Sequence, residues 1–167
     1  MELRSLAGHP EVPPRDAALS ITFGQTPPGM AADYLFGEQL FPVAHADVAA
    51  KITSVEDLLD HPIIEVLDHR RNWLQVLNRD FLPDHIQTAY ADTTFAALAL
   101  ARAQAGIALA RAPASNDLVE SFGLKRCLPG FAIGGVEAYH LLYPTGHKLT
   151  AGAAAFRGWM IDQAQNQ

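Results

Sequence analysis

The turn formed by Asp92, Thr93 and Thr94 carries the side chains best suited in this sequence to hold a small ligand. It precedes the apolar, alanine-rich segment 95–101, whose composition predicts a helix. Free N–H groups at the start of a helix, with hydroxyls beside them, favour a carboxylate or another anion. The alternative is an ordinary capping turn, because Thr and Asp side chains satisfy the same N–H groups. We expect Asp92 to cap the helix, because its charge would repel an anionic ligand.

Two predicted strands end in residues that could also contact a ligand. One ends at Phe23 and Gly24, and the other ends at Leu67 and Asp68. Open α/β sheets bind ligands outside the carboxyl ends of their strands, so these four residues join Thr93 and Thr94 as candidate ligand contacts. For Phe23, packing in the core is the alternative.

Two arginines follow the second of these strands. Arg70 or Arg71 could pair with an acidic ligand through two parallel hydrogen bonds. A solvated start of the next helix is the alternative explanation for both.

Metal binding and nucleophilic catalysis find little support in this sequence. The seven histidines show no short ligand spacing such as HxH or HExxH. Cys127, the single cysteine, lies in an apolar segment without a discernible partner base, which is typical of a buried, inert thiol. Nucleotide-binding and hydrolase motifs are absent, so we expect no metal, no cofactor and no enzyme activity.

Composition and charge restrict the class of protein further. The chain has 167 residues, 49% of them hydrophobic and 18% charged, which is typical of a globular protein. Its formal net charge of -6 provides no basic surface for nucleic acid. A single cysteine forms no disulfide framework, and neither a signal peptide nor a membrane-spanning apolar run is visible. We therefore expect a cytoplasmic protein without a membrane partner.

Strand and helix signals alternate along the chain, which favours an α/β fold with largely parallel sheets. The predicted strands cover residues 18–23, 34–36, 39–44, 63–67, 107–110, 124–128 and 136–143. The predicted helices cover residues 54–60, 72–81, 95–101, 116–122 and 149–164, and Leu3–Leu6 forms a possible further strand.

Four local features sharpen this interpretation. The first predicted strand is mostly apolar and is expected to be central, covered on both faces. Thr53 and Glu56 have the spacing of a capping box, and Gly106 is expected to end the third helix with a positive φ. In the last helix, apolar residues at helical spacing are expected to face the core. They are Ala153, Phe156, Trp159, Met160 and Ala164.

The order of these motifs resembles the effector-binding domain of LysR-type transcriptional regulators, which is similar to type 2 periplasmic binding proteins. The matching segments are 16–24, 40–44, 52–64, Trp73, 96–109, 139–144 and 156–160. No single segment is specific for this family. Their order and spacing over about residues 16–161, taken together, are specific for it.

The resemblance implies a two-lobed α/β fold, with mixed, mostly parallel sheets flanked by helices. Lobe I would comprise residues 1–44 and 136–167, and lobe II residues 45–135. It also implies that the first strand and first helix of the family's domain, and its helix-turn-helix DNA-binding domain, are missing from this chain. Unpaired edges left in the sheet would then favour association with another chain.

The resemblance further implies that a small molecule binds between the lobes and modulates transcription. The expected partners are that effector, a carboxylate or an amino acid, and further copies of the chain in a homo-dimer or higher oligomer. DNA would be contacted only through the missing helix-turn-helix domain. A stand-alone solute-binding module is the first alternative, and an enzyme on the same fold is the second.

Overall fold

The computed structural model describes residues 18–67 and 69–166. The strands are β1 (Ser20–Phe23), β2 (Met30–Ala44), β3 (Ile63–Val66), β4 (Thr88–Ala91), β5 (Ile107–Ala112), β6 (Lys125–Arg126) and β7 (Ile133–Pro144). The α-helices are α1 (Ala46–Ala49), α2 (Trp73–Leu77), α3 (Thr94–Arg102), α4 (Asn116–Ser121) and α5 (Ala151–Gln165), with a 3-10 helix at Glu56–Asp60. The possible strand at Leu3–Leu6 lies outside the described residues. The mixed α/β architecture confirms the predicted fold class.

The chain divides into two compact units. Unit 1 comprises residues 1–37 and 137–167, and unit 2 comprises residues 38–136. The boundary on β2 thus follows Gly37, seven residues earlier than the 44/45 boundary expected from the sequence, and the boundary on β7 follows Val136. Strands β2 and β7 both run through these boundaries, so each contributes residues to both units.

Unit 2 is built around three parallel strands. Strand β3 lies between β4 and β5 and runs parallel to both. Strand β5 is antiparallel to β2, which also pairs antiparallel with β6. Strands β3, β4 and β5 thus pair in parallel, whereas β2 pairs antiparallel with β5 and β6, and β1 antiparallel with β7. The sheet is therefore more mixed than the sequence predicted.

The period-two alternation of the strands separates the core of unit 2 into two apolar clusters. On β5, Ile107 and Leu109 belong to one cluster, while Ala108 and Ala110 belong to the other. Trp73 is the largest buried side chain of the first cluster, and Leu98 of α3 packs in the second. Burial on both faces explains why these strands read as continuous apolar runs.

Unit 1 contains a smaller core than the sequence predicted. Its strand order is β1-β7-β2, and β1 pairs only with β7 among the described strands, so β1 is an edge strand rather than a central one. The apolar residues of α5 were expected to be core, but the helix has no buried residue, and Trp159 is 55% exposed. Arg157 instead anchors this helix, through two hydrogen bonds to Asp33 of β2.

The helix predicted over 72–81 is much shorter in the structure. Helix α2 ends at Leu77, because Asn78 takes a left-handed conformation with φ of 51°. Phe81 lies beyond this end and is 75% exposed. Tertiary packing thus uses Trp73, Val76 and Leu77 but leaves Phe81 outside the core.

Two further sequence predictions shift by one or two residues. The reciprocal cap before the 3-10 helix joins Ser54 and Asp57, not Thr53 and Glu56. Helix α3 ends at Arg102, and Gln104, with φ of 63°, takes the first left-handed position after it. Gly106 has the positive φ expected from the sequence, 151°. Glycine is also required at position 106 for space, because a Cβ there would lie 2.5 Å from the carbonyl oxygen of Pro62. That oxygen accepts a hydrogen bond from the Ile107 N–H.

Phe41 and Phe81 provide a matched test of this core. Phe41 is 2% exposed, whereas Phe81 is 75% exposed. We expect Phe41→Ala to lower the free energy of unfolding by about 3–5 kcal/mol, and Phe81→Ala to change it by less than about 0.5 kcal/mol. Urea unfolding followed by circular dichroism measures both values. Equal losses in the two variants would contradict this placement of the core.

Asp57 is expected to give the fold a pH-dependent contribution. Hydrogen bonds from Thr53 and Ser54 lower the pKa of Asp57 from 3.8 to about 2. The stabilisation is therefore complete above the unfolded-state pKa and is lost as the pH falls through the folded-state pKa. The thermal midpoint of Asp57→Ala should lie below that of the original chain at pH 7, and the difference should shrink between about pH 4 and pH 2.

Asp60→Ala is the control for this measurement, because Asp60 is an exposed carboxylate at the other end of the same 3-10 helix. A difference for Asp57→Ala that stays constant down to pH 2 would show that its charge does not stabilise the cap.

Candidate functional site

The carboxyl ends of β3 and β4 bring two of the predicted ligand-binding segments together. Val66 pairs with Ala91, and the Leu67 N–H donates a 3.0 Å hydrogen bond to the Ala91 carbonyl oxygen. The parallel register therefore places Leu67 beside the turn that begins helix α3. This edge of a parallel sheet is where open α/β folds bind ligands.

Thr93, not Asp92, caps helix α3. Its hydroxyl accepts a 3.2 Å hydrogen bond from the Ala96 N–H and donates to Asp92 Oδ1 at 3.3 Å. Asp92 thus supports the capping residue rather than capping the helix itself, which corrects the sequence-based expectation. The N–H groups of Thr94 and Phe95, in the first turn, have no acceptor within the helix and can bind an anion.

An open groove of about 740 Å³ runs along the flank of α3, next to this turn. Leu67, Tyr90 and Phe95 line it and are all exposed. The other lining residues are Ala91, Asp92, Ala96, Ala99 and Leu100. The groove is apolar apart from Asp92 and the Tyr90 hydroxyl, so it suits a ligand, or part of one, that is mainly hydrocarbon.

Buried polar groups hold the segment that follows β3. The Glu65 carboxylate accepts hydrogen bonds from the Val66 and Trp73 N–H groups, and burial raises its pKa above the ordinary value. The Trp73 indole N–H donates to the Ile64 carbonyl oxygen at 2.8 Å. Arg111 Nη2 donates to the Arg71 carbonyl oxygen at 2.6 Å. The backbone at Arg71 and Trp73 is therefore fixed to the sheet.

The predicted site residues do not all lie in the same unit. Thr93, Thr94 and Leu67 belong to unit 2, whereas Phe23 and Gly24 belong to unit 1. Phe23 packs against Tyr139 with ring centroids 4.9 Å apart, and the Gly24 N–H donates to the Ala138 carbonyl oxygen. Asp68 lies outside the described residues.

Residues that could support metal or thiol chemistry are sparse in the described part of the chain. Within residues 18–67 and 69–166, no three His, Cys, Asp or Glu side chains are close enough to hold a metal ion. Cys127 is buried, and desolvation raises the pKa of its thiol to about 12. The thiolate is therefore disfavoured at neutral pH.

Sequence reasoning missed the exposed aromatic residues of the groove and the buried ion pair between Glu38 and Arg111. Tyr90 alternates with the half-buried Ala89 and the buried Ala91 on β4, so strand periodicity could have indicated an outward side chain. Phe95 lies off the face of α3 formed by the buried residues Ala97, Leu98 and Ala101. The pairing of Glu38 with Arg111, by contrast, joins residues 73 positions apart and left no local signal.

The family comparison agrees with this architecture over nearly the whole chain. The family model described as the LysR substrate binding domain matches residues 15–165. The chain belongs to this family. The match confirms the resemblance drawn from the order of the sequence motifs.

Solved structures of the same family share the fold. The effector domain of the transcriptional regulator AmpR of Pseudomonas aeruginosa is 27% identical, with a TM-score of 0.72 over 89% of this chain and 72% of that one. The AmpR effector-binding domain from Citrobacter freundii is 18% identical, with a TM-score of 0.73 over 90% of this chain and 76% of that one.

A third similar structure is that of the regulatory domain of CcmR from Synechocystis PCC6803, in complex with 2-PG. It is 16% identical, with a TM-score of 0.60 over 91% of this chain and 76% of that one. No curated protein shows a significant match to the chain.

These findings place the chain among the effector-binding regulatory domains of LysR-family transcriptional regulators. Domains of this family are regulatory modules that bind ligands. Among the described residues, no helix is both long enough and apolar enough to cross a membrane.

Thr93 gives a direct test of the local geometry at the start of α3. Thr93→Ala removes the oxygen that accepts the Ala96 N–H and is expected to lower the free energy of unfolding by about 1 kcal/mol. Thr93→Ser keeps that oxygen and should lose clearly less. Urea unfolding of the two variants measures the difference. If serine and alanine are equally destabilising, the hydroxyl does not cap the helix.

Proposed function

We propose that this domain senses a small carboxylate or amino acid at the carboxyl edge of β3 and β4. The observation that carries the proposal is the position of the α3 first turn beside Leu67 and the apolar groove, in a domain of a ligand-sensing family. The N–H groups of the first turn would bind the carboxylate, and the groove would receive the hydrocarbon part of the effector. Thr93, Thr94, Leu67 and Asp68 are the proposed contacts in unit 2. Phe23 and Gly24, at the carboxyl end of β1, remain predicted contacts.

The effector would act by shifting the regulator between conformational states. A ligand can shift such an equilibrium only through a difference in its affinity for the two states. DNA contact would belong to a separate helix-turn-helix domain of the regulator, because the net charge of -6 gives this chain no basic surface for phosphates. This assignment implies action in the cytoplasm, where a regulator meets both DNA and metabolites.

We infer that the domain is not an enzyme. The described residues offer no metal cluster, and their single thiol is buried and protonated at neutral pH. The Thr93 hydroxyl is engaged in capping, which makes it a poor nucleophile without a partner base.

Self-association also remains a prediction. Exposed apolar side chains such as Ile21 on the edge strand β1 and Trp159 on α5 are consistent with it. An edge strand with an exposed apolar side chain favours pairing with another chain.

Thermal shift against a panel of small carboxylates and amino acids, including the 2-PG of the CcmR complex, tests the effector site. A compound at 100 times its dissociation constant should stabilise the folded domain by about 2.7 kcal/mol. We expect this stabilisation to be lost in Thr93→Ala, which removes the cap of the first turn, and in Thr94→Ala, which removes the hydroxyl proposed to contact the ligand.

Thr150→Ala is the matched control. Thr150 caps α5 in unit 1 in the same way, through a 3.3 Å hydrogen bond from the Ala153 N–H. Thr150→Ala should lower the free energy of unfolding by about as much as Thr93→Ala does, and it should leave the ligand-induced rise of the thermal midpoint unchanged. A shift that survives in Thr93→Ala and Thr94→Ala would place the effector site elsewhere, and the absence of any shift across the panel would count against a carboxylate effector.

A further inference from the structure

Arg111 and Glu38 form a buried ion pair in unit 2. Arg111 is 5% exposed and Glu38 is 7% exposed, and with Ser115 they are the buried polar residues among those described. Arg111 Nη1 lies 2.9 Å from both carboxylate oxygens of Glu38. A buried charge is costly unless it is paired in good geometry, so each residue depends on the other.

The remaining contacts fix the orientation of Arg111. Its N–H donates to Ser115 Oγ at 2.7 Å, and Ser115 Oγ donates back to its carbonyl oxygen at 2.9 Å. Its Nη2 donates to the Arg71 carbonyl oxygen, and its buried Nε has no hydrogen-bond partner. Among the described residues, the Glu38 carboxylate and the Arg71 carbonyl are therefore the hydrogen-bond partners that orient the guanidinium.

The Arg71 carbonyl lies in the segment 69–72, which connects the groove to helix α2. Leu67, which lines the groove, lies N-terminal to this segment, and the last residue of the segment, Asn72, caps α2. Holding the Arg71 carbonyl therefore restricts the backbone of residues 69–72. Arg70, whose side chain is exposed, is carried by the same backbone.

Gly135 of β7 makes room for the ion pair. A Cβ built on Gly135 would overlap Glu38 Cγ and lie 2.5 Å from Glu38 Oε1. The neighbouring Gly134 has open space at the same position. Neither residue has a positive φ, so alanine suits both backbones and only the side-chain space differs.

We propose that Glu38 and Arg111 are positioning residues for segment 69–72, and that Gly135 permits their pairing. The ion pair orients the guanidinium, and the guanidinium holds the Arg71 carbonyl at the edge of the candidate effector site. The consequence for effector binding rests on the function proposed above. The positioning of segment 69–72 by Glu38 and Arg111 requires no ligand.

Amide hydrogen exchange on the unliganded domain tests the proposal, with Gly135→Ala compared with Gly134→Ala. Gly135→Ala displaces the Glu38 carboxylate without changing any charge. Exchange at residues 69–73 should accelerate by at least roughly tenfold, as expected for a local opening, while α3 keeps its protection. Gly134→Ala should leave the exchange of both segments unchanged.

Arg111→Lys is the second variant and covers the case in which Gly135→Ala fails to fold. Lysine keeps the charge beside Glu38 but lacks the planar fork that reaches the carboxylate and the Arg71 carbonyl together. Residues 69–73 should again exchange faster, with the protection of α3 retained.

Unchanged exchange at residues 69–73 in Arg111→Lys would overturn the proposal. So would a loss of protection spread evenly over unit 2, since that result would show a purely structural role. Because no ligand is added, these outcomes are distinguishable from a failure of the effector site.

Discussion

The central position of β3, parallel to β4 on one side and β5 on the other, is the constraint on which unit 2 depends. Parallel strands place their carboxyl ends at one edge of the sheet, so the segments after β3 and β4 must meet there. Ile63 and Ile64 point to opposite faces and are both buried, which holds the strand between the two apolar clusters. The start of α3 and the groove beside it are consequences of this register.

Hydrogen bonds from buried and half-buried polar groups then determine how the segment after β3 is held at this edge. Apolar packing has no directional preference, whereas the hydrogen bonds of Glu65, Trp73 and Arg111 fix particular backbone atoms. The Glu38 carboxylate makes this possible, since it balances the charge of the buried guanidinium. Polar groups thus order segment 69–72 beside the candidate site.

The two units differ in how much apolar surface they bury. Both apolar clusters lie in unit 2, whereas the buried apolar side chains described in unit 1 are Leu35, Leu141 and Leu142. Helix α5 is attached to its sheet largely through the Arg157–Asp33 ion pair, and the cation–π contact of Arg157 with Tyr143 adds to it. Stability within one chain follows such differences in burial, so unit 1 should open more readily than unit 2.

Much of the local structure could be predicted from the sequence because its signals are local. The apolar runs of β3 and β5 and the alanine-rich helix α3 appeared where the pattern indicated them, and the motif order identified the family. The edge position of β1 could not be predicted, because an apolar strand has the same pattern whether or not a neighbour covers it. Helix α2 ended early for a similar reason, since periodicity cannot tell whether Phe81 finds a partner.

In the candidate site, too, only the features with a local sequence signal could be predicted. The Thr93 turn was visible in the sequence, because a helix cap is formed by residues three positions apart. The side-chain exposure of Tyr90 and Phe95, and the pairing of Glu38 with Arg111, were decided only by the tertiary structure. By itself the sequence determined the elements, the family and the helix start that could bind an anion. Only the fold decided which distant residues share a buried space, because a buried charge selects its partner by proximity in three dimensions and not along the chain.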